Sequence, residues 1–132
     1  MAYNGRCLCG AVTFRAEGEP LNVRACHCRQ CQKALASPFF ARALFEQSHV
    51  TIDGPTAAHH SSPALERVFC SACGTRLFAR RTNGTYIGIA LAAFDDPGLI
   101  KPTEHIWVSE KVPWLALEDG LPQHPERSPS LP

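Results

Sequence analysis

Long runs of one kind of side chain are missing from this sequence of 132 residues. No run of Lys and Arg exceeds two residues and the formal net charge is +1, so the basic patch of a nucleic-acid or anionic-membrane binder is absent. No apolar run is long enough to span a bilayer, and the first residues lack the basic and apolar segments of a secretion signal. We therefore expect a cytoplasmic protein that binds neither nucleic acid nor membrane.

Common catalytic signatures are missing as well. The chain has no Gly-rich loop that would cradle a phosphate, no dinucleotide-binding fingerprint and no recognisable Ser-His-Asp triad. Its composition, 45% hydrophobic, is enough for one ordinary core. We expect one zinc-binding domain over residues 1–122 and a Pro-rich C-terminal tail over residues 123–132, which have too little apolar material to fold alone.

Alternation of apolar and polar residues predicts mainly β structure. Turn residues such as Asp53-Gly54-Pro55 separate the alternating segments at the spacing of an antiparallel all-β domain. Seven segments are predicted strands: 11–15, 38–44, 50–52, 67–70, 76–79, 86–91 and 104–108. One short helix is predicted at 29–35.

Cysteine is the residue type that carries the chemical signal. The seven cysteines are Cys7, Cys9, Cys26, Cys28, Cys31, Cys70 and Cys73. Their number is odd, and two pairs lie only two positions apart, where a strain-free disulfide is hard to close. In a sequence without a secretion signal such clusters indicate metal ligands before disulfides.

Cys70 and Cys73 form a zinc knuckle. Their spacing lets both thiolates reach one metal ion, and Gly74 permits the tight turn that directs backbone N–H groups at sulfur. A tetrahedral site needs two more ligands, for which Cys7 and Cys9 at the start of the first predicted strand are the natural donors. We predict a closed, structural zinc site of four thiolates.

The remaining cysteines, Cys26, Cys28 and Cys31, are the predicted catalytic residues. Three protein ligands and one open position are the pattern of catalytic zinc. His27 is an alternative fourth ligand, although on an extended stretch its side chain should point away from those of its neighbours. Because three thiolates make zinc a weak Lewis acid, the open site favours activation of an exogenous thiol over hydrolysis. Thiolate sites also accept iron, so the metal is left open by the sequence.

Three cysteine motifs follow one another along the chain. They are GRCLCGAVTF at 5–14, CHCRQCQK at 26–33 and FCSACGTRL at 69–77. On these motifs the chain resembles the glutathione-dependent formaldehyde-activating (GFA) family, which includes centromere protein V. The resemblance runs from about Gly5 to Pro122, and it is specific because all three motifs are in register.

The resemblance implies a β-tent of antiparallel sheets, similar to methionine sulfoxide reductase type B, with two zinc ions per chain. In the family the set of four cysteines matches the structural zinc, and the set of three matches the site that glutathione sulfur approaches. The implied reaction adds the glutathione thiol to formaldehyde to give S-hydroxymethylglutathione, which is a carbon–sulfur lyase reaction in reverse. One departure is Ala36, which stands where a glycine is expected.

Two other functions are compatible with the sequence. A non-catalytic zinc module that binds a protein partner is one, but the basic extension expected for a chromosomal partner is missing. An enzyme like methionine sulfoxide reductase would need a recycling cysteine outside the metal sites, and all seven cysteines are assigned. We therefore rank first a zinc-dependent lyase that acts on a small thiol and a small aldehyde.

Overall fold

Strands make up most of the secondary structure. The chain is described here by a computed structural model that covers residues 1–130 and Pro132. These residues form β1 (Ala2–Arg6), β2 (Thr13–Glu17), β3 (Asn22–Cys26), α1 (Arg29–Leu35), β4 (Phe40–Glu46), β5 (Val50–Asp53), β6 (Thr56–Ser62), β7 (Leu65–Cys70), β8 (Arg76–Arg81), β9 (Tyr86–Ala90) and β10 (Glu104–Ile106). Short 3-10 turns lie at Gln47–His49, Leu91–Ala93 and Val108–Glu110. The prediction of a mainly β fold is confirmed.

The strands form two sheets. The smaller sheet is antiparallel in the order β1-β2-β5, and the larger one has the order β10-β3-β4-β9-β8-β7-β6. Neighbours in the larger sheet are antiparallel except for β10 and β3, which pair in parallel with Glu104 beside Arg24. The larger sheet is therefore mixed, and β10 at its edge begins only after a long connection from β9.

Aromatic rings fill the core where the two sheets pack. Phe14 of β2 lies edge-on to Phe78 of β8 and to Phe94, with ring centroids 5.3 Å apart in both pairs. Tyr3 of β1 contacts Phe94 in the same way, at 6.2 Å. Such edge-to-face pairs add roughly 1 kcal/mol each to the stability gained from apolar burial.

Alternation along the strands gives the larger sheet two distinct faces. On β4, Ala43 and Phe45 belong to the core that the larger sheet shares with the smaller one. Arg42 and Leu44, the residues that alternate with them, line a cleft on the opposite face. A second, smaller apolar cluster, centred on Cys26, lies beside that cleft.

The sequence patterns located the strands better than their ends. The predicted helix at 29–35 coincides with α1, and each predicted strand overlaps an observed one with ends within two residues. Strands β1, β3 and β6 were not predicted, because segments such as Thr56–Ser62 are polar and Ala-rich and lack the alternation. No helix in the described residues is both long and apolar enough to cross a membrane.

The segment after residue 122 lies against β10. His124 N–H donates to His105 O at 2.9 Å, and His105 N–H donates to Pro122 O at 2.9 Å. Trp107 N–H donates to Glu126 O at 2.8 Å. The Pro-rich segment thus satisfies backbone groups at the edge of the larger sheet that would otherwise need water.

Candidate metal centres and the adjacent cleft

The four-cysteine cluster joins the β1–β2 turn to the β7–β8 turn. The sulfur atoms of Cys7, Cys9, Cys70 and Cys73 all lie within 4.8 Å of one another. The Sγ atoms of Cys7 and Cys9 are 3.6 Å apart, and those of Cys9 and Cys70 are 3.9 Å apart. Four sulfurs placed tetrahedrally around zinc are about 3.8 Å apart, so the donor set and its spacing fit that ion.

Polar groups of the β7–β8 turn stabilise these sulfurs as thiolates. Gly74 has a φ of +82°, as expected for a tight turn, and Cys73 N–H donates to Cys70 Sγ at 3.4 Å. The Thr75 hydroxyl accepts a hydrogen bond from Leu8 N–H at 3.0 Å. It donates to Cys73 Sγ at 3.1 Å, which lowers the pKa of Cys73 to about 5. Thr75 therefore links the β1–β2 turn to the β7–β8 turn and also stabilises Cys73, one of the candidate metal ligands.

The three-cysteine cluster lies where β3 ends and α1 begins. The sulfur atoms of Cys26, Cys28 and Cys31 lie within 4.8 Å of one another, and no fourth His, Cys, Asp or Glu of the described residues joins them. Cys28 is the N-cap of α1, and its Sγ accepts a hydrogen bond from Cys31 N–H at 3.3 Å. Hydrogen bonds from the Cys26 and Cys31 thiols lower the pKa of Cys28 to about 2. The cluster therefore holds a thiolate readily and can hold a metal ion with a ligand position to spare.

His27 lies between two of these cysteines but is not part of the sulfur cluster. Its ring is fully buried, and its Nε2 is 2.9 Å from Nδ1 of His105. The Nε2 atom of His105 is in turn 2.7 Å from Oδ2 of Asp119. Burial, followed by the nearby charge of His105, lowers the pKa of His27 to about 4, so this ring is neutral near pH 7. These side-chain contacts from His27 through His105 to Asp119 link the segment that carries the three-cysteine cluster to β10 and to the residues after β10.

A solvent-open cleft of about 140 Å³ adjoins the three-cysteine cluster. Cys26 and Cys31 line it together with Arg42, Arg67 and Arg81, and none of the acidic residues in the described part of the chain does. The larger sheet supplies the arginines from β4, β7 and β8 on the face opposite the core. Two metal-ligand candidates thus share one cleft with three cations.

Arg67 makes direct contact with the cluster. Both terminal nitrogens of its guanidinium lie 3.7 Å from Cys31 Sγ, and the side chain is buried. Its Nε donates to the Ser61 hydroxyl at 3.2 Å. A guanidinium in this position stabilises negative charge on the sulfur.

Sequence reasoning did not identify Arg67, His105 or Asp119 as parts of this site. Arg67 carried only a weak signal, because the alternation of its predicted strand places it on the face opposite the core residue Val68. His105 had none, since it is separated from His27 by 78 positions and no local spacing relates them.

Known proteins resemble this chain over most of its length. The profile of the glutathione-dependent formaldehyde-activating enzyme family matches residues 2–110. An uncharacterized lyase of Schizosaccharomyces pombe is 37% identical over 82 residues, which are 62% of this chain and 60% of that protein. The match therefore spans less than two thirds of the yeast protein. A Halomonas elongata protein, provisionally named a glutathione-dependent formaldehyde-activating enzyme, is 28% identical over 130 residues, covering 89% of this chain and 82% of its own.

A Rhodobacter sphaeroides protein of known crystal structure has the same fold. It superimposes with a TM-score of 0.58 at 21% identity, over 75% of this chain and 91% of that one. At this level of identity the likeness concerns the arrangement of the strands, not the chemistry of the site.

Proposed function

Because this chain belongs to the glutathione-dependent formaldehyde-activating family, we propose that it is a zinc-dependent carbon–sulfur lyase that joins a small thiol to a small aldehyde. Glutathione and formaldehyde are our first choice for the pair, with S-hydroxymethylglutathione as the product. The observation that carries the proposal is the three-cysteine cluster, which lacks a fourth ligand among the described residues and opens on a cleft. The names of the yeast and Halomonas relatives, a lyase and a formaldehyde-activating enzyme, support it.

We assign zinc to both clusters and give them different roles. Both donor sets are entirely sulfur, which suits zinc, and in the four-cysteine cluster the sulfur separations of 3.6 and 3.9 Å fit a tetrahedron. With four thiolates the first site is closed, so its role is to hold the two turns together. At the second site a bound zinc would supply the positive charge that keeps an incoming thiol deprotonated and nucleophilic.

Residues of the chain perform the remaining tasks. Cys26, Cys28 and Cys31 hold the centre at one wall of the cleft, and Phe40 beside them limits the access of water. Arg67 balances the negative charge of the sulfurs from the other side. The thiol sulfur forms a bond to the carbonyl carbon, the C=O π pair moves to oxygen, and that oxygen takes up the proton that the thiol released. No oxidant or reductant is consumed.

The decisive experiment is exchange NMR of hydroxymethyl transfer between glutathione and formaldehyde, because the uncatalysed reaction is itself appreciable. Zinc-loaded wild-type protein should accelerate exchange at least about tenfold over the buffer rate, and Cys28→Ser should return it to that rate. Gln30→Ser, an exposed position in the same loop, is the matched control and should remain active. If wild-type protein does not accelerate exchange, glutathione and formaldehyde are the wrong pair.

We also propose that the protein works in the cytoplasm. All seven cysteines are free of disulfide bonds. Clusters of free thiols persist in reducing compartments, where they serve as metal ligands. Zinc content of the protein expressed in the cytoplasm, compared with that of the protein exported to an oxidising compartment, tests this, because oxidation of the thiols would release the metal.

A further inference from the structure

We propose that the cleft beside the three-cysteine cluster is an anion subsite in which Arg42 and Arg81 bind a carboxylate of the substrate. The inference rests on the proposed function and narrows its substrate class. One of the two reacting molecules, the thiol or the aldehyde, is a small organic acid. A carboxylate presents two oxygens to a guanidinium fork and forms strong charge-assisted hydrogen bonds with it.

Arg42 is a cation that lacks a carboxylate partner. In the described chain none of the ion pairs includes Arg42 or Arg67. Arg42 Nη1 donates instead to the neutral amide oxygen of Asn22 at 2.6 Å. Burial, together with the nearby charge of Arg24, lowers the pKa of Arg42 to about 10, so the group is still charged near pH 7. Burying a charge is unfavourable unless it is paired, and an incoming anion would supply the pair.

Gly88 provides the space that Arg42 occupies. It lies on β9 and pairs with Leu44, in the interior of the larger sheet. A Cβ at this position would lie 2.8 Å from Cδ of Arg42, closer than real contacts allow. Glycine weakens a strand and often marks the close approach of another group. Here that group is the Arg42 side chain, which extends from β4 over Gly88 of the neighbouring strand β9 and lines the cleft.

The charge of the cleft is not balanced by the metal cluster. Three thiolates with one zinc ion carry a single formal negative charge, whereas three arginines line the cleft. Within residues 1–130 and Pro132, no Asp or Glu side chain lines it. A formal surplus of two positive charges therefore faces the space where the thiol and the aldehyde would meet, and a neutral pair of substrates leaves that surplus unused.

The test compares acidic and neutral substrates in two arms on the zinc-loaded protein. The thiol arm pairs formaldehyde with mercaptoacetate or with 2-mercaptoethanol. The aldehyde arm pairs 2-mercaptoethanol with glyoxylate or with acetaldehyde. The natural acid is either the thiol or the aldehyde, and we expect a preference in the corresponding arm. There, kcat/KM should be at least about tenfold higher for the acidic substrate than for its neutral counterpart. Calorimetric titration with succinate, which has neither a thiol nor a carbonyl group able to react, measures anion binding alone.

Three variants connect this preference to the arginines. Arg42→Gln and Arg81→Gln should each remove most of the preference for the acid and leave the neutral substrate nearly unaffected. Arg80→Gln is the matched control, because Arg80 neighbours Arg81 on β8 but pairs with Glu66 and does not line the cleft. Arg81 is exposed, so its substitution should leave folding intact, which circular dichroism checks.

Each result has a definite meaning. A preference that disappears in Arg42→Gln and Arg81→Gln but persists in Arg80→Gln supports the subsite, and the arm that shows it identifies the acid. Catalysis of neutral and acidic pairs at equal efficiency overturns the subsite and leaves the proposed function intact. An equal loss in Arg80→Gln also overturns it, since net charge would then explain the effect. If no pair reacts, and glutathione with formaldehyde does not react either, the proposed function fails. Succinate binding that Arg42→Gln abolishes then still supports the subsite, whereas no succinate binding overturns it.

Discussion

The four-cysteine cluster has all four sulfurs that a tetrahedral metal site needs, whereas the three-cysteine cluster has three and borders a cleft lined by arginines. Both use the same ligand atom, so the difference lies in the number of sulfurs and in what surrounds them. At the first cluster, Cys73 N–H and the Thr75 hydroxyl donate hydrogen bonds to the sulfurs, and four sulfurs are enough for a tetrahedral ion. Arg67 and open solvent border the second. On the roles that we propose, one missing ligand and a cationic neighbour distinguish the reactive thiolate centre from the structural one.

The backbone at the two clusters differs as well. The turns that carry the four-cysteine cluster contain Gly10 and Gly74, with φ of +80° and +82°. Helix α1, which carries Cys31, ends at Ala36 with a φ of +50°. A left-handed conformation is favourable for glycine and costs about 1 kcal/mol or more for alanine. The three-cysteine cluster is therefore built on the more strained backbone.

The largest expected effect is the loss of the fold when the four-cysteine cluster loses a sulfur. Cys70 is fully buried between the two turns, and structural zinc contributes on the order of 10 kcal/mol to the folding of small domains. That figure is comparable to the whole stability of a typical domain. We expect Cys70→Ser to bind less zinc and to show no cooperative thermal transition by circular dichroism.

Cys28→Ser is the corresponding change at the other cluster. It should lose the second zinc and the activity but keep a cooperative transition, because the core between the sheets does not depend on that metal. A folded Cys70→Ser protein together with an unfolded Cys28→Ser protein would reverse the roles that we give to the two sites.

An intermediate effect is expected at Thr75. Thr75→Val removes the hydroxyl that donates to Cys73 Sγ and accepts from Leu8 N–H. Because a hydrogen bond to a charged group contributes about 1.5 to 3 kcal/mol, we expect the free energy of unfolding in urea to fall by about 2 kcal/mol. Thr75→Ser keeps the hydroxyl and should lose much less. Equal values for valine and threonine would mean that the hydroxyl does not stabilise the closed cluster.

The smallest effect is expected at Ala36, and its sign is opposite. Ala36→Gly should raise the free energy of unfolding by about 1 kcal/mol, because glycine adopts the left-handed conformation at the end of α1 without strain. The control Ala34→Gly, inside the same helix, should lower it by about 0.5 to 1 kcal/mol. Urea denaturation measures both. A decrease in both variants would show that Ala36 is not strained.

Much of the fold could be predicted because its signals are local. Alternation along β2 and β5 comes from one face that is more buried than the other, and the helix at 29–35 was predicted with the bounds of α1. Strand β3 was not predicted, because it contains Arg24, which is buried beside Glu104 of β10. A buried ion pair between residues so far apart leaves no pattern in either segment.

The grouping of the cysteines also followed from the sequence. Sulfurs two or three positions apart must be neighbours in space, so Cys26, Cys28 and Cys31 could be assigned to one set. The four remaining cysteines are the number that a tetrahedral site needs, so they could be assigned to a second set. The structure brings together the same two sets. Their roles and the identity of the metal are proposals that the variants above test.

Local spacing and alternation along the chain thus determined seven of the ten described strands, the short helix and the two sets of sulfur ligands. Only the tertiary structure decided what faces them. Arg42, Arg67 and Arg81 come from three different strands and meet beside the sulfurs because strand pairing places them on one face of the sheet. His105 reaches His27 because β10 pairs with β3 from far along the chain. No spacing rule relates such residues, since the folded sheet, and not the covalent chain, sets the distances between them.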